Sequence, residues 1–416
     1  MEKGRQSEPH SGRSGTNLPQ LADLNEAVVL GWIRRTPGGL SRVELTRATG
    51  LSPQAVSNIC QRLLDEGVIM EAGKASSGFG KPRTLLTLDP TGCYAVGVHL
   101  DPTVVTMVLL DFLGGVTAHT SFITAAADAP NELLAKIGER VNGLIDGAGI
   151  DRDRVLGVGI ASPGPIDQDT GSVLDPPLLT EWHHVAVRDQ LGAATGLPTL
   201  LDKDVIAAAI AERWAGEAAQ SRNFAFIYLG AGIGAGVVVE DVVVRGVSGN
   251  AGDIGMFEVS ASDGPGTRDL GEMTNPESLL RQAVRAGVFP NAPGPEDPLA
   301  VDEGFTELCR RADAGDGRAS AILDQAAARI GGAVSRIANL LDVDTIIFGG
   351  TTWSRVAERY LGTMTDIIQA TSITRDIHPI RVVGTALGED VGAIGAACLV
   401  LDNKTSAHPR RMLQSF

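Results

Sequence analysis

Apolar residues recur at helical spacing from Leu21 to Ile33 (LADLNEAVVLGWI), and the pattern breaks at Pro37-Gly38-Gly39. Ser41 then reads as the cap of a short helix, RVELTRAT, which Gly50 ends. After one apolar residue, Ser52 and Pro53 supply a cap and a first-position proline for a third helix, PQAVSNICQRLLDEG. Its spacing predicts Val56, Ile59, Leu63 and Leu64 on the buried side and Gln54, Ser57, Asn58 and Arg62 on the other. The stretch VIMEAGKASSGFGKPRTLLTL reads as two strands joined by a flexible tip that carries Lys74, Lys81 and Arg83.

From Cys93 onward the pattern becomes α/β. YAVGVHLDPTVVTMVLLDFLG predicts a strand, a short turn and a second strand, and RNFAFIYLGAGIGAGVVVEDVVV repeats that layout about 130 residues later. Each copy is followed by further strands and helices, such as PNELLAKIGERVNGLI in the first. GVFPNAPGPEDPLAVDEG is rich in proline and acid and reads as a surface loop. Two related halves with a cleft between them predict an α/β, actin-like two-lobed sugar-kinase fold preceded by a winged helix-turn-helix domain. The expected division is a disordered arm at 1–17, the winged head at 18–90 and the body at 91–416. Within the body the lobes span about 91–210 and 211–390, and a C-terminal helix returns to the first lobe.

Charge sharpens the division. The chain carries −15 overall, yet residues 1–90 hold 11 Lys and Arg against 9 Asp and Glu, a net +2 that leaves −17 on the rest. Such a head suits phosphate and such a body does not. A helix, a glycine turn and a capped helix with small polar residues at its start form the helix-turn-helix pattern. Gln54 and Asn58 offer paired donors and acceptors to a base edge, and Ser57 is short enough to permit close approach. Ser52, Arg62, Lys81 and Arg83 complete the expected DNA face, the last two near backbone phosphate. The plainer alternative is a small helical bundle for protein contacts. Cys60, Cys93, Cys309 and Cys398 lie far apart, as buried thiols of a reducing cytoplasm would. No apolar run is long enough to cross a bilayer, and the polar start has no apolar signal region.

Residues 157–174 (GVGIASPGPIDQDTGSVL) and 229–255 (LGAGIGAGVVVEDVVVRGVSGNAGDIG) resemble the ROK family, which groups bacterial sugar kinases with repressors that carry a winged helix before the same body. The resemblance covers most of residues 20–400. It implies a first phosphate loop of the form D-x-G-G-T, which here is His99-Leu100-Asp101-Pro102-Thr103. Both glycines are gone, Asp101 brings negative charge towards phosphate, and Pro102 has no N–H to donate. The second loop, Leu229 to Gly236, keeps its glycines but has Ala231 where the family often has threonine, and a tight turn needs the same glycines. Phe348-Gly349-Gly350 resembles the strand end beside the adenosine pocket and serves equally as a strand-to-helix turn.

The family's zinc site implies a histidine in G-E-I-G-H and three cysteines in C-x-C-G-x-x-G-C. Here Met256 replaces the histidine, DGPGTRDLGE replaces the cysteine segment, and no zinc or other cofactor is expected. The catalytic aspartate corresponds to Asp204, in an E-N-D motif that reads Asp202-Lys203-Asp204. Lys203 is expected to favour the ionised carboxylate and so lower its basicity, and Asp204 to cap the following helix, VIAAAIAERW. The reading is therefore a cytoplasmic transcriptional regulator, a repressor that responds to a sugar or sugar derivative, in which Asp204 is the remnant of the kinase base. Ser162, Lys203, Asp204, Asp253 and Glu272 are the expected effector contacts, with Lys203 favouring an anionic one. The expected partners are double-stranded operator DNA and a second copy of the chain. The rivals are an ATP-dependent sugar kinase with a DNA-binding head and a regulator whose ligand-free body only dimerises.

Overall fold

The structure is a computed structural model that describes residues 18–75, 83–124, 129–176, 179, 182–260, 266–294 and 297–406. They form two compact units, residues 18–89 with 402–406 and residues 90–401. The expected arm at 1–17 and Lys81 at the wing tip lie outside the described residues.

The first unit runs α1 (Leu18–Arg34), α2 (Arg42–Thr49), α3 (Pro53–Asp65), β1 (Ile69–Ala75) and β2 (Arg83–Leu88). Ser41 and Glu44 close a reciprocal capping box at the start of α2, and Gly50 ends that helix in the left-handed region at φ 71°. Ser52 accepts a hydrogen bond from the Ala55 N–H, with Pro53 at the first helical position. The strands β1 and β2 pair antiparallel, Ile69 opposite Leu88 and Ala75 opposite Arg83. Leu30, Leu45, Leu63, Ile69 and Leu86 are fully buried between them. Leu64, expected in the core, is only half-buried. The stripe runs instead through Val56, Ile59, Cys60 and Leu63, which leaves position 64 on its flank.

Glu26 on α1 joins three segments of this unit. It accepts from Arg62 on α3, with Nε at 3.1 Å, and from Lys404 Nζ at 3.0 Å. Lys404 belongs to the last helix, α12 (Val391–Thr405). Burial pushes the Glu26 carboxyl up, but hydrogen bonds from Arg62 and Lys404, and their charges, outweigh it and hold the group below its usual value. A depressed carboxyl stabilises the fold above its unfolded pKa near 4.5, and that contribution is lost as pH falls through the folded value. Glu26→Gln should cost about 1–2 kcal/mol at pH 7, between the cost of an exposed and a buried pair, and much less near pH 3. Urea unfolding at the two pH values reads the difference, and an equal loss at both would contradict the pairing.

The second unit is built twice over one plan. Its first sheet has the order β5-β4-β3-β6-β9, from β3 (Tyr94–Leu100), β4 (Val104–Asp111), β5 (Val116–Ile123), β6 (Val155–Ser162) and β9 (Thr199–Lys203). Between β6 and β9 the chain forms the two-residue strands β7 (Ile166–Asp167) and β8 (Ser172–Val173). The β3–β4 and β4–β5 pairs are antiparallel, whereas β6 and β9 run parallel to β3. Helices α4 (Pro130–Ala148) and α5 (Val187–Thr195) share an apolar cluster with this sheet, including Val96, Met107, Leu134, Ile160 and Leu191. Next comes α6 (Asp204–Ala215).

The second sheet has the order β12-β11-β10-β15-β16, from β10 (Phe224–Leu229), β11 (Ile233–Val239), β12 (Val242–Val243), β15 (Thr345–Gly349) and β16 (Arg381–Gly384). It repeats the antiparallel pair followed by parallel strands, as the sequence repeat predicted. Its core gathers Ile227, Leu323, Ile330, Ile346, Phe348 and Val356. The covering elements are β13 (Glu258–Ser260), β14 (Thr267–Asp269), α7 (Leu270–Thr274), α8 (Pro276–Arg285), α9 (Pro298–Asp313), α10 (Gly317–Leu341) and α11 (Trp353–Thr371).

The expected loop at 287–304 is partly helical. Asp297 caps α9 by accepting from the Ala300 N–H at 3.0 Å, and Pro298 opens the helix. The proline density that suggested a loop was in part a helix start.

Candidate functional site

On the head, the exposed side of α3 carries Gln54, Ser57, Asn58 and Arg62. Gln54 Nε2 donates to Asn58 Oδ1 at 2.9 Å, one helical turn apart. That bond leaves Gln54 Oε1 as an acceptor and Asn58 Nδ2 as a donor, the pair that an adenine edge needs. Ser52 spends its hydroxyl on the cap. Arg62 is tied to Glu26 and lies near Glu66, so its guanidinium works first within the head. Arg83 is exposed at the start of β2, opposite Ala75.

In the body, β6 and β9 end side by side, with Ser162 in register with Lys203. Both are buried, Lys203 to 9% exposure, and Asp204 follows as the first residue of α6. Close packing fixes this start. A Cβ on Gly236 would overlap the Val205 carbonyl, and one on Gly395 the Ala207 carbonyl, so only glycines admit β11 and α12 against α6. Lys203 Nζ donates to the Asn250 carbonyl at 3.3 Å. The Asn250 amide in turn locks to Ile166, accepting from its N–H at 2.8 Å and donating to its carbonyl at 2.7 Å. Asp202 is fully buried and accepts from Arg245 at 3.1 Å and Gln168 at 3.3 Å. Sequence reasoning passed over Asn250, Arg245 and Gln168. They lie 34 to 84 residues from their partners, and no local pattern links them.

Two expectations for Asp204 need correction. It does not occupy the cap position, which belongs to Lys203; from the first helical position it accepts from the Val205 N–H at 2.7 Å. A carboxylate there still meets the positive end of the helix. Nor is its basicity lowered. Burial pushes its carboxyl up, and His99, the Val205 N–H and Lys203 offset that only in part.

Asp253 and Glu272 are exposed. Asp253 accepts from the Gly255 N–H at 3.2 Å, and Gly271 N–H donates to the Gly255 carbonyl at 2.8 Å, which brings the start of α7 to this loop. Gly252, beside Asp253, packs against Val205 and so near the start of α6. Ser162, Lys203 and Asp204 therefore form one group, Asp253 borders it, and Glu272 enters only through α7.

The segments 99–103 and 229–236 converge on a separate open pocket lined by Asp101, Thr103, Ala231, Pro276, Val301 and Thr351 among others. Asp101 is 6% exposed, and one of its oxygens accepts from the Thr103 N–H at 3.0 Å and hydroxyl at 2.6 Å. The Gly230 N–H bonds the Gly232 carbonyl at 2.9 Å, closing the β10–β11 turn on itself. His99 is buried edge-on against Tyr228, with ring centroids 6.1 Å apart. Among the described residues no cluster of His, Cys, Asp and Glu is placed to hold a metal ion, and no helix is long and apolar enough to cross a membrane.

A putative xylose repressor from Caldicellulosiruptor sp. strain Rt8B.4 is 23% identical over 396 residues, covering 93% of this chain and 98% of that protein. A glucokinase from Halalkalibacterium halodurans is 26% identical over 321 residues, covering 75% of this chain and 96% of that enzyme. Among solved structures, a ROK family transcriptional regulator described as a homologue of the E. coli MLC protein superposes with a TM-score of 0.75 at 22% identity, covering 93% of this chain and 98% of that one. A MarR family model matches residues 22–72, over the winged helix, and the ROK family model matches residues 95–403. The chain belongs to the ROK family.

Proposed function

We propose that this chain is a DNA-binding transcriptional regulator of the ROK type, a repressor that responds to a sugar or sugar derivative and does not phosphorylate it. The observation that carries the reading is the pairing of an exposed Gln54–Asn58 face on a capped helix with a body whose first phosphate loop presents Asp101. The likeness to a xylose repressor extends through the head, whereas the likeness to a glucokinase covers the share of the chain that a body alone would.

Absence of kinase chemistry rests on the nucleotide side. Asp204, with its carboxyl pushed up, would serve as a base if phosphate could be delivered. Asp101 and Pro102 stand against that delivery through charge and the lost N–H. The effector site is the group Ser162, Lys203 and Asp204, bordered by Asp253, with Glu272 brought towards it only through α7. The chain acts as a homodimer, because two winged helices spanning two half-sites match a symmetric operator. An effector bridging the lobes biases the operator-binding form only as far as its affinities for the two forms differ.

Operator binding by fluorescence anisotropy, with and without xylose, glucose or glucose 6-phosphate, tests the reading. At least one ligand should weaken wild-type binding about tenfold, which corresponds to about 1.4 kcal/mol of coupling. Asp204→Asn should keep DNA affinity and lose most of that response. Lys203→Ala should lose more of the response to glucose 6-phosphate than to glucose. An unchanged response in both variants would move the effector elsewhere, and an absence of duplex binding would end the repressor reading.

A further inference from the structure

We propose that residues 246–250 form a gate over the effector site, closed in this structure, which swings out from its Asn250 end to admit a ligand to Lys203 and Ser162. The inference rests on the effector site proposed above and not on DNA recognition.

Ser162 is fully buried and Lys203 is 9% exposed, so a ligand cannot reach either until something moves. Contact identifies the segment that stands over Lys203. The lysine side chain runs between Gly164 and Asn250: a Cβ on Gly164 would lie 2.9 Å from Lys203 Cε and 3.3 Å from Asn250 Oδ1. At its end, Nζ donates to the Asn250 carbonyl.

The segment is anchored on the second sheet and latched to the first. Before it, the Val244 N–H donates to the Val237 carbonyl at 2.8 Å. After it, Gly252 lies so close to β11 that a Cβ would overlap the Ala235 carbonyl. The Ala251 N–H closes the base by donating to the Arg245 carbonyl at 3.0 Å. Between these anchors Gly246 and Gly249 take the left-handed region, at φ 72° and 81°, and Val247 at the tip is fully exposed. On the facing side, Asn250 holds Ile166 through both amide bonds, and Gly249 backs onto Gln168.

The two ends of the latch differ in strength. Arg245 pairs with the fully buried Asp202, and separating them would strip a buried carboxylate of its guanidinium partner. The Asn250 bonds are neutral and only part-buried, so water replaces them at small net cost. Arg245 therefore stays in place and the chain beyond it opens, with Gly246 and Gly249 absorbing the change. A ligand group that takes Lys203 Nζ from the Asn250 carbonyl removes one more tie, which links binding to the open form.

The test is acetylation of the full chain by N-succinimidyl acetate, with individual lysines followed by peptide mass spectrometry. Lys74, exposed on β1, gives the unhindered rate. In the wild type Lys203 should react at least about tenfold more slowly than Lys74, because only the open form is attacked. Asn250→Ala should speed Lys203 about tenfold, the scale of two neutral hydrogen bonds. Gly249→Ala, whose Cβ would meet Gln168 Cγ at 2.7 Å in the closed position, should speed it as well. Arg222→Ala, which removes exposed ion pairs with Glu240 and Asp241, should not. The four buried cysteines, probed with iodoacetamide, should stay unreactive in every variant, which separates gate opening from loosening of the body. Circular dichroism checks folding; if Asn250→Ala is unfolded, Gly249→Ala decides. The proposal is overturned if wild-type Lys203 reacts as fast as Lys74, if neither gate variant speeds it, if Arg222→Ala speeds it equally, or if the cysteines become reactive along with it. Neither DNA nor effector enters the experiment, so the gate and the repressor reading fail separately.

Discussion

Specific operator affinity should fall by about 1–3 kcal/mol when either Gln54 or Asn58 is changed to alanine, while affinity for a scrambled duplex stays nearly constant. The two amides are bonded to each other at 2.9 Å, so each holds the other in its presenting rotamer. Removing one loses a base contact and frees the partner; the double variant should therefore lose less than the sum of the singles. Arg83→Ala should behave differently, weakening both duplexes and reducing the slope of affinity against salt by about one phosphate contact. Arg62→Ala separates a third role. Since Arg62 is held by Glu26, its loss should appear first in unfolding of the head and only secondarily in DNA affinity. Anisotropy titrations over a salt series distinguish the three patterns. Equal losses on specific and scrambled DNA in the Gln54 and Asn58 variants would show that this helix face does not read bases.

The same residues explain how much of the protein was legible beforehand. The head could be read almost to the residue because its signals are local: Ser41, Gly50, and Ser52 with Pro53 each act within a few positions of the helix end they set. The body's double plan was equally legible, since two strand pairs 130 residues apart repeat one alternation. Legibility failed where a residue's meaning depends on distant chain. Asp297 and Pro298 begin a helix, but in a proline-rich run they resembled a loop. Asp204 was placed at a cap by its chemistry, yet α6 starts one residue earlier, and burial decides its proton affinity against the adjacent Lys203. The Asn250 lock and the Arg245–Asp202 pair were invisible, because they form only when the 245–250 loop meets the end of β9. Loss of the phosphate-loop glycines was plain in the sequence, whereas the cavity beside Asp101 required the fold.

Gly159→Ala should be the most damaging single-methyl change in the body. Gly159 lies in the middle of β6, and a Cβ there would overlap the Ala396 carbonyl of α12. Gly97 on β3 stands in the same relation to the Ala393 carbonyl, so the two glycines form the bed on which α12 lies. The obstacle is main chain, not the tip of a flexible side chain, so relief requires moving the helix or bending the sheet. Every residue from Ala396 to Val400 is buried, which makes either movement expensive. Overpacking of a tight core costs about 1–3 kcal/mol, and a backbone obstacle places this change at or above the upper end. Gly232→Ala provides the control: among the described residues nothing lies within 4 Å of its added Cβ, and it should cost less than about 1 kcal/mol. Urea midpoints for the two variants should therefore differ widely. Comparable midpoints would mean that α12 does not pack on β3 and β6 as described.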